Sequence, residues 1–206
     1  MLCIGLTGGV ATGKSVVGQE LSRLGCRVLR ADDLGHAVLL RGGEAYEPVI
    51  QVFGPEILST DGQIDRQHLA GIVFHDETKL KLLNPLVHPA VFSREEAWMQ
   101  QVEDADPCAL AVVEAAILIE TGSFRRFHKL VLAVCDEEQQ IERAMARDGA
   151  TREDVLARIR RQMPLMDKKR FADYVIDTSR TMDDTIAQVA RLYESLRSVN
   201  ACGNER

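Results

Sequence analysis

Residues 8–15 read Gly-Gly-Val-Ala-Thr-Gly-Lys-Ser. They follow the pattern G-x-x-x-x-G-K-S/T, a loop that cradles phosphate between a strand and a helix. The flanks suit that reading. Leu2-Cys3-Ile4-Gly5-Leu6-Thr7 is the apolar run of a buried parallel strand, and Val16-Val17-Gly18-Gln19-Glu20-Leu21 opens a helix. Small residues let backbone N–H groups turn in on phosphate oxygens, and the helix that follows adds its positive end. Lys14 reaches the outer phosphates, and the Ser15 hydroxyl is a Mg²⁺ ligand candidate. The expected ATP-binding residues are Gly8, Gly9, Val10, Ala11, Thr12, Gly13, Lys14, Ser15 and Val16. A chance turn is the competing reading, and the full match in this setting disfavours it. The feature predicts a nucleoside triphosphate site without saying where the phosphate goes.

Four more short apolar segments read as strands. They are Arg27–Arg30, Ala109–Val113, Lys129–Val134 and Tyr174–Ile176, with helical patterns between them. Strands alternating with helices predict a doubly wound α/β fold, a parallel five-stranded sheet between helical layers. Ligands of such sheets bind beyond the carboxyl ends of the strands. Topology alone therefore adds Asp32, Glu114 and Asp136 as site candidates, with Glu114 a weak candidate for metal.

The 206 residues suffice for one such core, which buries roughly 70% of the unfolded surface without staples. The five cysteines are scattered and show no C-x-x-C spacing, so zinc and thioredoxin-like chemistry have no support. That usage fits a reducing, cytoplasmic setting. The first strand starts almost at Met1, so no secretory leader is expected. No apolar run approaches a membrane span. A net charge of -6 argues against nucleic acid as the main partner.

Between about Leu34 and Pro107 strand signal is weak. Phe53-Gly54 and Asp61-Gly62 read as a helix stop and a turn. Gln67–Phe74 and Pro89–Val102 read as amphipathic helices. A helical insertion here suits a second substrate, with plain packing over the sheet as the alternative. From Asp136 to Lys169 the chain is charged, and Arg143 and Arg147 share a helix face. A solvated face is the bland reading; beside a triphosphate site, a lid that closes Arg over the phosphates is the better one. Asp32 suits a carboxylate that orients an acceptor hydroxyl, or a helix cap instead. The polar tail after about Ser198 reads as a frayed end.

The blocks along the chain resemble the dephospho-coenzyme A kinase family from about Cys3 to Asp177. They are Leu6-Thr7-Gly8-Gly9 through Gly13-Lys14-Ser15, Ala31-Asp32, Phe53-Gly54, Asp61-Gly62-x-Ile64-Asp65-Arg66, Val73-Phe74 and His88-Pro89. Ile117–Gly122, Gln140-x-x-Arg143-x-x-x-Arg147, Gln162, Lys168 and Ala172-Asp173-x-Val175-Ile176 continue the pattern. The phosphate loop is generic; the Asp-Gly-x-Ile-Asp-Arg and His-Pro blocks are far more specific. The resemblance implies transfer of the ATP γ-phosphoryl to the ribose 3′-hydroxyl of dephospho-coenzyme A, the final step of coenzyme A synthesis, with Mg²⁺ as cofactor. It implies one P-loop kinase domain of three parts. Residues 1–33, 106–135 and 171–198 would form the nucleotide core, 34–105 a helical coenzyme A-binding insertion, and 136–170 the lid. Lys14, Asp32, Arg143 and Arg147 would be catalytic, and Asp32, Arg66, His88 and Glu120 would hold the acceptor. Plainer roles compete at three of these. His88-Pro89 could mark a helix boundary, Arg66 a surface pair with Asp65 or Glu56, and Glu120 a helix-end carboxylate.

The chain departs from the family pattern at several points. Arg30 replaces the first Asp of Asp-Ala-Asp, and strand alternation would put that cation on the face of Asp32. Ala11 and Thr12 stand where the loop usually has Gly and Ser; at positive φ Ala11 would be strained. His36 replaces an Arg, Ala116 a Pro and Thr178 an Asn. Two other functions compete: a P-loop kinase for nucleoside monophosphates or another small molecule, and a nucleotide-dependent switch, for which no switch segment is visible.

Overall fold

The computed structural model describes residues 1–74 and 76–200, so Cys202 and the end of the polar tail lie outside the described residues. The chain divides into two compact units, Met1–Leu29 with Met99 onward, and Arg30–Trp98.

The first unit is built on a five-stranded sheet. Its strands are β1 (Leu2–Gly8), β2 (Arg27–Arg30), β3 (Leu110–Glu114), β4 (Lys129–Val134) and β5 (Tyr174–Asp177), in the order β2-β3-β1-β4-β5. β1 runs parallel to β3 and β4, and β4 parallel to β5. Leu6 stands opposite Glu114, and Gly8 opposite Ala133. Central strands covered on both faces should be apolar, and β1, β3 and β4 are so apart from Thr7, Glu114 and Lys129 near their ends. One pleat presents Leu2, Ile4, Leu6, Val112 and Val131 to α1 (Lys14–Arg23) and α9 (Met182–Val199). Each such side chain contributes about 1.5–3 kcal/mol on burial. On the other pleat the loop after β3 returns closely. A Cβ on Gly5 would sit 2.9 Å from Phe127 and 3.0 Å from Leu118.

The expected strands are thus present, β3 shifted one residue along. α9 starts at a capping box between Thr181 and Asp184. It runs to Val199, and the Asn200 side chain then donates to the Cys108 carbonyl at 2.7 Å. The segment read as charged is helical: α6 (Glu137–Asp148), α7 (Arg152–Arg160) and α8 (Leu165–Lys168). Among the described residues no helix is long and apolar enough to cross a membrane.

The second unit holds α2 (Ala31–Val38), α3 (Tyr46–Phe53), α4 (Arg66–Phe74) and most of α5 (Glu77–Ala105). Val38, Tyr46, Val49, Ile57, Leu69 and Val91 form its core. Gly54 ends α3 at φ 84, and Gly62 turns at φ 75, so both punctuation marks read from the sequence are real. A lone antiparallel bridge, Leu58 to Ile64, is the sole strand-like pairing among the described residues here.

Two expectations are corrected. Strand geometry stops at Arg30, and Ala31 already begins α2, so Arg30 and Asp32 do not share a strand face. Arg30 instead lies 3.8 Å from Asp33, and with both more than half exposed the pair is weak. Nor does His88-Pro89 divide two helices. Pro85 and Pro89 both lie inside α5. They stand one turn apart and exposed, so the carbonyls of Lys81 and Pro85, which lose their usual donors, can bond water.

Candidate active site

The phosphate loop joins β1 to α1, and its shape follows from residues that tolerate no bulk. A Cβ on Gly8 would lie 2.4 Å from Thr12 Oγ1 and 2.8 Å from the Ala133 carbonyl. Gly13 caps α1 at φ 81, and its carbonyl accepts from Val16 and Val17 at 3.0 and 3.2 Å. Ala11 sits at φ 51, in the left-handed region that strains any residue with a Cβ. Thr12 is buried and donates to the Gly9 carbonyl at 3.2 Å. Lys14 Nζ donates to the same carbonyl at 3.0 Å. The loop therefore opens at the N-terminus of a ten-residue helix, the ordinary setting for an anion.

Ser15 and Glu114 meet at the ends of α1 and β3. Ser15 Oγ donates to Glu114 Oε1 at 2.8 Å, and Glu114 is 7% exposed. Gly18 makes room for the carboxylate, since a Cβ there would lie 2.9 Å from Glu114 Oε2. A hydroxyl beside a buried carboxylate is a hard-oxygen pair. No group of three or more His, Cys, Asp or Glu among the described residues forms a protein cage. A hydroxyl and a carboxylate fit Mg²⁺, which takes few protein oxygens and keeps most of its shell as water and substrate phosphate.

Arg143 and Arg147 rise from α6 toward different partners. Arg143 donates to Thr178 Oγ1 at 3.1 Å and to the Thr178 carbonyl at 2.7 Å. Thr178 in turn donates to the Thr12 carbonyl at 2.9 Å, so this α6 arginine is tied to the phosphate loop through one hydroxyl. With Gly13, Val16, Arg180 and Met182 these two line a cavity of about 180 Å³. Arg147 is exposed and gripped by Asp148 at 2.7 and 3.0 Å. A larger cavity, about 650 Å³, opens beside Gly9, Asp136, Gln140, Met163, Leu165 and Lys169.

Glu120 is held by Lys168. The ammonium lies 2.7 Å from Glu120 Oε1, and Met163 N–H donates to the same oxygen at 3.1 Å. Lys168 is fully buried and also donates to the carbonyls of Gly8 and Ala116.

The family model described as dephospho-CoA kinase matches residues 2–184. This chain belongs to the dephospho-CoA kinase family. It is 40% identical to the dephospho-CoA kinase of Aquifex aeolicus over 94% of this chain and 96% of that one. It is 38% identical to that of Carboxydothermus hydrogenoformans over 93% and 92%. A Thermus thermophilus crystal structure matches with TM-score 0.80 at 31% identity, covering 95% of this chain and 97% of that one. The fold extends further. An Acinetobacter baumannii shikimate kinase matches with TM-score 0.54 at 16% identity, over 98% and 96% of the two chains. The protein is thus a kinase, and ATP is the donor substrate of its family.

Within the dephospho-CoA kinase sequence pattern, the remaining expected residues fall in the second unit. Asp32 occupies the first turn of α2, and no side-chain hydrogen bond caps that helix. Arg66 is exposed at the start of α4. His88 is half-buried in α5 with its ring 5.8 Å from Phe92, and burial pushes its imidazole below the usual range. In the sequence Lys168 is a family-block residue within the charged segment that follows Asp136. Its complete burial against Glu120 and two carbonyls was invisible there, although Lys168 and Glu120 both sit in family blocks. Thr178, noted only as a departure, turns out to join α6, the phosphate loop and β5.

Proposed function

We propose that this protein phosphorylates the ribose 3′-hydroxyl of dephospho-coenzyme A from ATP, releasing coenzyme A and ADP. The observation that carries this reading is the family match across residues 2–184, which includes the insertion blocks as well as the generic loop. Donor phosphates lie on the loop at the N-terminus of α1. Lys14 leaves the Gly9 carbonyl for the outer phosphate oxygens. Ser15 and Glu114 would hold Mg²⁺, which when bound offsets charge on the phosphates. Arg143 stands at the cavity with Thr178, and Arg147 exchanges Asp148 for phosphate as the lid closes. Asp32 orients the 3′-hydroxyl and takes its proton, while Arg66 and His88 bind the acceptor within a coenzyme A-binding insertion. The 3′-oxygen to γ-phosphorus bond forms, the bond from γ-phosphorus to the β,γ-bridging oxygen breaks, and ADP departs with that electron pair. Free thiols such as buried Cys26 and Cys135 support a reducing, cytoplasmic setting for the reaction.

The test is ADP release from Mg-ATP with dephospho-coenzyme A, AMP, CMP or no acceptor. Stimulation by dephospho-coenzyme A alone is expected, and none above the water rate sinks the reading. Asp32→Asn should lower kcat by about 100-fold or more with the fold intact. Near-normal turnover would remove Asp32 from its role.

A further inference from the structure

We propose that Lys168 is a positioning residue for phosphoryl transfer: it sets the start of the phosphate loop and ties to it the segment Met163–Lys168. An ammonium carries three N–H donors. Here three acceptors take them: Glu120 Oε1 at 2.7 Å, and the Gly8 and Ala116 carbonyls at 3.2 Å each. The side chain is 0% exposed, so no water substitutes for any of them.

The choice of acceptors carries the inference. Gly8 and Gly9 are successive glycines, so no side chain restrains the backbone where β1 enters the loop. Their carbonyls are each held by a lysine. Gly9 accepts from Lys14, and Gly8 from Lys168. Lys14 must release Gly9 to reach phosphate, and Lys168 keeps Gly8 fixed when it does. Ala116, the second carbonyl, also accepts from Thr7 Oγ1 at 3.2 Å, so the ends of β1 and β3 are drawn to one cation. The Glu120 carboxylate bonds Met163 N–H as well as Lys168, so it grips both ends of the short segment. Leu165, within that segment, would touch a Cβ on Gly9 at 3.3 Å. Lys168 thus joins the base of the lid to the first turn of the loop. A buried ion pair kept for stability alone would need two more acceptors, but neither would have to be a carbonyl of the phosphate loop.

This inference rests on the kinase reading of the loop but not on the identity of the acceptor. Its test uses the full chain and Mg-ADP. Lys168→Met with Glu120→Gln removes both charges together and leaves no orphaned carboxylate. We expect the unfolding midpoint of this double variant to stay within a few degrees of the parent. Its Mg-ADP affinity and its kcat should each fall about tenfold or more, as for a displaced phosphate cradle. A folded double variant with parental affinity and kcat overturns the proposal. A second measurement needs no variant. On adding Mg-ADP to the parent, amide hydrogen exchange should slow together in residues 9–13 and in Met163–Lys168. Slowing in the loop alone also overturns it. Mg-ADP affinity and hydrogen exchange are both read without dephospho-coenzyme A, so failure of the acceptor assignment would leave a different signature.

Discussion

Gly18 shows how one absent methyl group shapes the site. In Gly18→Ala the new Cβ would lie 2.9 Å from Glu114 Oε2, the mobile end of a side chain. The helix itself gains about 1 kcal/mol from Ala over Gly. Stability should therefore hold while the carboxylate is pushed off Ser15. The Mg²⁺ concentration for half-maximal turnover should rise about tenfold, as when an outer partner of a metal ligand is lost. An unchanged Mg²⁺ requirement would free Glu114 of its metal role. Ala11 makes the converse case. At φ 51 its Cβ is strained by about 1–2 kcal/mol, and glycine's extra unfolded freedom offsets about 0.5–1 kcal/mol of that. Ala11→Gly should raise the urea midpoint; a lower midpoint would show that the loop holds Ala11 without strain. At this scale the phosphate loop was legible because its parts are contiguous and its spacing is dictated by a phosphate. The Lys168–Glu120 pair was not, because charge in a sequence is read as exposure and only tertiary packing buries that cation.

At the scale of elements, α6 and α7 are pinned at one carboxylate. Hydrogen bonds from Arg147 and then Arg158 hold the Asp148 carboxyl well below the usual carboxylate range. A depressed folded pKa contributes stability in full above the unfolded value near about 4, and that contribution disappears as pH falls through the folded value. Asp148→Asn should therefore unfold earlier than the parent at pH 7, and the two midpoints should converge under strongly acidic conditions. A gap that persists in acid would place the effect elsewhere than in Asp148 ionisation. The pairing is mostly solvated, so the gap should be small and should shrink in salt. Strand positions were readable to within a residue because buried parallel strands are continuous apolar runs between polar turns. Helix limits were less so. A Pro normally stops a helix, yet α5 continues through Pro85 and Pro89, both exposed, where carbonyls that lose a donor can bond water. The strand at Arg30 ended sooner than alternation suggested, since Ala31-Asp32-Asp33 suits a first helical turn, with two carboxylates near its positive end.

At the scale of the molecule, the chain contributes two units of different construction. One is a parallel sheet with the phosphate loop at the end of its central strand. The other, Arg30–Trp98, is helical with a core of its own, and it carries Asp32, Arg66 and His88. The absence of strand signal after Leu34 already pointed to an insertion. Its start at Arg30 was not visible, because the border falls where β2 passes directly into α2 with no linker composition to mark it. If donor and acceptor sites are divided as proposed, the two ligands should protect different parts of the chain. Mg-ADP at a hundred times its dissociation constant should stabilise the fold by about 2.7 kcal/mol. Its slowing of hydrogen exchange should centre on Gly8–Val17, on α6 and on Met163–Lys168. Dephospho-coenzyme A should slow exchange in α2, α4 and the middle of α5, where backbone amides near Asp32, Arg66 and His88 report on the acceptor. Protection by dephospho-coenzyme A confined to the sheet unit would remove the insertion from acceptor binding. The kinase reading would survive that result, because it rests on the family match across residues 2–184.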